Sequence, residues 1–207
     1  YLPGGSIWHS QSNESLFAHI PGLRVVVPTT PQDAAALMWT ALHADDPTIF
    51  LIPKHRFRKQ FEVPEPTIEP VPFGKGIIRQ EGDDVTLVTW GNCIELAEEA
   101  AEQLREEMTV EIIDLRSLVP WDKELVRQSL AKTGRLVVLQ EDAESCSFGQ
   151  KIITDMVSNP DTWDTFMSPP QLVSRGDVHI GFNPIYEYAA LPSTAEVVES
   201  LRLTMQE

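Results

Sequence analysis

Residues 84–115 read DVTLVTWGNCIELAEEAAEQLREEMTVEIIDL, and the architecture can be worked outward from them. Asp84–Trp90 is an apolar, β-branched run of strand length, closed by the turn residues Gly91 and Asn92. From Cys93 to Met108, Ile94, Ala97, Ala101, Leu104 and Met108 recur with the helical period, while glutamates crowd the opposite face. Val110–Leu115 is then a second strand. A strand, a helix and a strand in this order predict a right-handed crossover within a parallel sheet.

The alternation continues on both sides. Downstream, Asp122 stands where it can cap a helix carrying Leu125, Val126 and Leu130 and ending near Gly134. A strand over 135–139, a helix over 149–157, a strand over 171–173 and a closing helix over 195–205 follow. Upstream, 23–27 reads as a short buried strand, and Thr30 with Pro31 opens a helix over 32–43. Ala34, Leu37, Ala41 and Leu42 are expected on one face of it, Asp45-Asp46-Pro47 ends it, and 48–52 is a second strand. The whole pattern predicts an open α/β sheet. Between the two series lies Val63–Pro72, whose four prolines exclude helix and favour a stiff, extended linker.

Composition narrows the function classes. The 207 residues are 42% hydrophobic and 23% charged, enough apolar material for a core. No run of about 18 uncharged apolar residues marks a membrane span. The net charge of −15 repels nucleic-acid phosphates and anionic lipid, so neither is an expected partner. Residues 1–60 are nearly balanced, with Arg24, Lys54, Arg56, Arg58 and Lys59 against Glu14, Asp33, Asp45 and Asp46, so the acidity belongs to the rest of the chain. Cys93 and Cys146 share no metal-ligand spacing, and a reduced intracellular protein is the simpler reading. The start at Tyr1, without Met or leader, reads as a piece beginning inside a larger protein.

HExxH, GxSxG, P-loop and GxGxxG motifs are all absent. Three clusters remain as candidates. His9, in Trp8-His9-Ser10-Gln11-Ser12, is a loop histidine among small polar groups and can move a proton near neutral pH; a capping or surface histidine is the commoner case. Gln140-Glu141-Asp142-Ala143-Glu144 follows a strand, where α/β ligands gather; it reads as a metal or proton-relay site, or, slightly favoured, as a solvated acidic turn. Lys54–Lys59 reads equally as an anion-binding run or a solvated edge.

One resemblance weighs these readings. His9-Ser10-Gln11-Ser12, Phe17-Ala18-His19-Ile20-Pro21-Gly22-Leu23-Arg24-Val25-Val26-Val27-Pro28, Asp46-Pro47-Thr48-Ile49-Phe50 and Pro53-Lys54 resemble the beta subunits of thiamine diphosphate-dependent 2-oxo acid dehydrogenases. So do Asp84–Gly91, Glu111–Asp122 and Lys132–Val138, in the same order and across nearly the whole chain. The pair Trp121-Asp122 and the strand after the linker look most like the branched-chain (2-oxoisovalerate) type.

The resemblance implies that residues 1–62 end a transketolase-like pyrimidine-binding domain, 63–72 form the linker and 73–207 form a parallel-sheet transketolase C-terminal domain. It implies oxidative decarboxylation of a branched-chain 2-oxo acid and acyl transfer to a lipoyl domain. The alternatives are a pyruvate or acetoin dehydrogenase beta subunit, a more distant transketolase-like enzyme, or a non-catalytic assembly module. His9 matches the family's active-site histidine. Ala41, Leu42, Ala44 and Asp46 match a loop whose backbone carbonyls hold potassium, with Ala44 replacing the usual acidic residue. The residues that meet the cofactor's aminopyrimidine are expected upstream of Tyr1. Thiamine diphosphate and magnesium are therefore expected in the complete enzyme, and this piece alone is expected to be inactive. The implied partners are an alpha subunit or alpha half, a second beta subunit and the lipoyl acyltransferase, in a bacterial cytoplasm or a mitochondrial matrix. Ser145–Gly149 and Val178–Phe182 depart from the family pattern, in the half that serves assembly.

Overall fold

The computed structural model describes residues 4–61 and 69–206, so most of the proline-rich tract, residues 63–68, lies outside the described residues. Its tail at 69–72 is neither helix nor strand, and the carbonyl of Val71 accepts a 2.8 Å hydrogen bond from Thr40 Oγ1.

Two sheets carry the fold. In the first, β1 (Arg24–Val26) and β2 (Thr48–Phe50) run parallel and are joined by α3 (Pro31–Leu42). Thr30 and Asp33 form a reciprocal capping box at the start of α3, with Pro31 in the first turn. The third strand of this sheet, β6 (Ser117–Val119), comes from far along the chain and pairs antiparallel with β1. The second sheet has the order β3-β5-β4-β7-β8, with β3 (Ile77–Gln80), β4 (Val85–Thr89), β5 (Val110–Asp114), β7 (Leu136–Ala143) and β8 (Gln171–Arg175). All its pairs are parallel except β3 with β5 at one edge.

Side chains alternate across this second sheet and divide the core in two. Leu87, Ile112, Val137 and Leu139 face α4 (Cys93–Gln103) and α9 (Thr194–Thr204), burying Ala97, Leu104 and Leu201 among them. Val88, Ile113, Leu136 and Val138 face α5 (Lys123–Thr133) and α6 (Phe148–Val157), together with Val25 of β1 and Val27 just after it. Each fully buried leucine or isoleucine stabilises the fold by about 1.5–3 kcal/mol. As expected, Asp122 caps α5 by accepting from the Leu125 N–H at 3.1 Å, and Gly134 ends it in the left-handed region.

Several details differ from the expectation. β7 runs on to Ala143 instead of stopping at 139, and α4 stops at Gln103, with turns replacing its last period. β3 and β6 were not foreseen: β3 is a half-exposed edge with no apolar alternation, and β6 is only three residues long. Leu42 is 73% exposed, because α3 turns Asp33, Ala36 and Leu37 inward. No helix among the described residues is long and apolar enough to cross a membrane.

Candidate functional site

Parallel strands deliver their carboxyl ends to one side, and there the fold opens a cleft of about 480 Å³. Its floor is Val27 after β1, Leu51 and Ile52 after β2, Trp90, Gly91 and Asn92 after β4, and Glu141 near the end of β7. Two short helices roof it: α1 (Ser6–His9) and α2 (Glu14–Ala18). Gly91 makes the turn from β4 into α4 at φ +60°, and a Cβ there would stand 3.0 Å from Val27 Cγ1.

His9 is the last residue of α1 and lies exposed on the cleft wall, beside Trp8. The loop that follows is held by carboxyl groups. Ser12 Oγ donates to Glu141 Oε1 at 3.0 Å, and Asn92 Nδ2 donates to Glu141 Oε2 at 2.9 Å. The Ser15 N–H donates to Asp142 Oδ2 at 3.1 Å, and the Phe148 N–H donates to Ser15 Oγ at 3.0 Å. Trp90 Nε1 donates to Glu14 Oε1 at 3.0 Å.

The electrostatics follow from burial. Glu14 is pushed up from 4.5 to about 7, first by desolvation, then by the neighbouring charge of Asp142 and less by that of Glu141; the Trp90 hydrogen bond opposes the rise. Burial, then Glu141 and Glu14, raises the Cys93 thiol well above its ordinary value. The cleft therefore offers one exposed imidazole, one buried carboxyl that titrates near neutrality, and an apolar wall of Phe17, Leu51 and Trp90.

The other candidates resolve differently. Gln140, Glu141 and Asp142 are not a solvated turn: they are the end of β7 and no more than 7% exposed, with Glu141 and Asp142 binding the loop after His9 and Gln140 accepting from the Gly149 N–H at 2.8 Å, while Glu144 beyond the strand is exposed. Among the described residues no group of three or more His, Cys, Asp or Glu side chains could hold a metal ion. The basic run forms a 3₁₀ turn over Lys54–Arg58, pinned rather than free: Arg56 is buried, donating to Thr29 O at 2.8 Å and to Glu95 Oε1 at 2.9 Å, and Lys59 pairs with the same Glu95. Among the described side chains of that run, Lys54 lines the cleft. Ala41 and Leu42 end α3; Ala44 and Asp46 line a separate depression with Arg24, His43 and Phe73. There the Ala41 carbonyl accepts from the Ala44 N–H at 3.3 Å, and the Asp46 carboxylate is taken by Arg24 at 2.7 Å.

Sequence reasoning missed Glu14 and Trp90 as parts of the site. Glu14 stands in the same segment as His9, five residues on, but nothing local signals its burial. Trp90 closes a recognised strand, yet its partner lies 76 residues away.

A two-sheet α/β protein with its cleft at the strand carboxyl ends, roofed by a histidine-bearing helix, is the class that fold and site define. The chain belongs to the transketolase family: residues 4–60 match its pyrimidine binding domain and residues 74–197 its C-terminal domain. It is 37% identical to the pyruvate dehydrogenase E1 component subunit beta of Rickettsia felis, over 94% of this chain and 59% of that protein. It is 33% identical to the mitochondrial 2-oxoisovalerate dehydrogenase subunit beta 2 of Arabidopsis thaliana, over 97% and 55%. With the acetoin:2,6-dichlorophenolindophenol oxidoreductase subunit beta of Bacillus subtilis it shares 37% identity over 92% and 55%. The chain thus spans between 55% and 59% of the length of these relatives. A split gene transketolase, an inactive beta4 tetramer, superposes with a TM-score of 0.74 at 25% identity, over 98% of this chain and 65% of that one.

Proposed function

We propose that this chain supplies the His9-bearing wall of the decarboxylating component of a 2-oxo acid dehydrogenase. The observation that carries the reading is the place of His9, on α1 at the rim of the cleft formed by the carboxyl ends of β1, β2, β4 and β7. In this reading residues 1–62 end the pyrimidine-binding domain, 63–72 link, and 73–207 form the C-terminal domain. The His9 imidazole holds the substrate carboxylate by an N–H donor, and gives a proton to a lipoyl sulfur as its ring opens. Phe17, Leu51 and Trp90 offer an apolar surface that suits a branched aliphatic acyl group, so a branched-chain 2-oxo acid is the proposed substrate.

Thiamine diphosphate would supply the electron sink for decarboxylation when bound. The described residues of this chain do not suit its diphosphate and magnesium end: Glu14 and Glu141 line the cleft, and no metal-ligand cluster is present among them. Those contacts are assigned to residues outside the described ones, along with an alpha subunit, a second beta subunit and a lipoyl acyltransferase as partners. Potassium on the carbonyls of Ala41, Leu42, Ala44 and Asp46 belongs to the same proposal, as does a cytoplasmic or mitochondrial matrix location.

The test is His9→Ala in the complete protein, assembled with its alpha partner and acyltransferase. Reductive acylation of lipoyl should fall by roughly 10²–10⁴; near wild-type turnover overturns the reading. A substrate panel decides the acyl group, since a higher kcat/KM for pyruvate than for 2-oxoisovalerate removes the branched-chain assignment. A docking role is favoured by the acidity after residue 60, and predicts capture of a basic acyltransferase segment that weakens as salt rises.

A further inference from the structure

The helix that carries His9 is too short to hold itself. α1 has four residues, no buried residue, and no side-chain cap at Gly5. An isolated helix of that length is unstable in water. Its place must be set from outside, and one carboxylate reaches both of its flanks.

Glu187 lies on α8 (Pro184–Ala190) and is wholly buried. The Gly4 N–H donates to its Oε1 at 3.1 Å and to its Oε2 at 3.0 Å. Ser10 Oγ, itself wholly buried, donates to Oε1 at 3.3 Å. Gly4 and Ser10 stand immediately outside the two ends of the segment Gly5–His9, and 183 and 177 residues separate them from Glu187. One side chain therefore holds the chain on both sides of the histidine. α8 in turn is anchored at its start, where Asn183 accepts from the Ile185 N–H at 2.9 Å and Pro184 occupies the first turn.

We propose that Glu187 is a positioning residue for His9: its carboxylate ties both flanks of α1 and so sets where the imidazole stands in the cleft. The proposal rests on the acid/base reading of His9 given above. Hydrogen bonds from a backbone N–H and a hydroxyl to the oxygens of one carboxyl group are short-ranged, so they fix the position of the groups that donate them. Losing them frees α1 to shift, and a displacement of about 1 Å at a reacting group is enough to cost roughly a hundredfold in rate. Ile185 and Tyr186, on the same helix, point outward and are more than two-thirds exposed, so removing the Glu187 carboxylate opens no apolar core.

The experiment uses the complete protein with its partners, and compares Glu187→Ala, Glu187→Gln, His9→Ala and the Glu187→Ala/His9→Ala double variant. Glu187→Ala should lower kcat for lipoyl acylation by about ten- to a hundredfold. Glu187→Gln, which keeps one acceptor oxygen, should recover part of that loss. The double variant should be no slower than His9→Ala, because Glu187 acts through the histidine. Independently of activity, amide exchange over residues 4–10 should accelerate about tenfold in Glu187→Ala, with β4 and β5 unchanged. Wild-type kcat in Glu187→Ala beside a crippled His9→Ala overturns the proposal, as do multiplicative losses in the double variant or unaltered exchange over 4–10. Wild-type turnover in His9→Ala is a different failure: it removes the role of the histidine itself, and the exchange result then shows a tether without a catalytic purpose.

Discussion

Glu14 sits in the cleft at an energetic cost that its neighbours explain. In the unfolded chain its carboxyl loses its proton near 4.5, whereas in the fold burial and the charge of Asp142 hold the proton to about 7. Between those values the folded state binds the extra proton, so stability falls as pH rises through this window and the loss is complete above it. Glu14→Gln keeps an oxygen for Trp90 Nε1 and removes the titration. That variant should match the wild type near pH 4 and exceed it by on the order of 1–3 kcal/mol at pH 8, as read by urea unfolding at both values. The cysteines differ in the same way. Cys93 is buried with its thiol pushed up, and Cys146 is exposed. Iodoacetamide under native conditions should label Cys146 alone, with Cys93 reacting only after unfolding. His9 stood out as a candidate at this scale through the family resemblance of the residues around it. Glu14 did not, since a glutamate in a polar loop looks solvated until Trp90 and β7 are placed over it.

At the scale of elements, one aspartate does two jobs. Asp33 completes the capping box of α3, exchanging hydrogen bonds with Thr30 at 3.1 and 3.2 Å. It also accepts from Arg116 Nη1 at 2.9 Å and pairs with Arg79, which holds Asp114 at 2.8 Å. The helix between β1 and β2 is thereby bolted to β3 and β5 of the second sheet. The hydrogen bonds from Arg116 and Thr30 and the charge of Arg79 outweigh burial and hold the Asp33 carboxyl below its usual range. Its contribution is present above the unfolded value of 3.8 and is lost as pH falls toward the lowered one. Asp33→Ala should destabilise the protein by about 3–5 kcal/mol, because it takes the carboxylate from the buried Arg116 guanidinium and one of the two carboxylates from Arg79, and uncaps a helix end. A shift of the urea midpoint at constant slope is the measurement, and a change under about 1 kcal/mol would show that the network contributes nothing. The cap was readable from Thr30-Pro31. The ion network was not, because its members are up to 83 residues apart.

Over the whole molecule, the two sheets share a core. β6 leaves the second sheet's neighbourhood to pair with β1, and Leu118 on it is fully buried in the same cluster as Val25, Val88 and Leu115. Unfolding should therefore follow one transition, with tryptophan fluorescence and far-ultraviolet circular dichroism coinciding. Leu118→Ala should cost about 2–5 kcal/mol and keep that coincidence; two separated transitions would mean that the sheets fold apart.

The strands over 85–89, 110–114 and 136–139 and the helices between them were settled by local pattern, since apolar periodicity and caps act within a few residues. His9 became a candidate through the family resemblance of the stretches around it. Tertiary structure alone decided the rest: that β7 runs on into a buried acidic end, that β6 closes the first sheet, and that Glu187 holds the helix of His9. The reason is physical. Each of these is a long-range pairing of polar or short segments, and a carboxylate or a three-residue strand acquires its energy only when burial removes water and brings the distant partner within hydrogen-bond reach.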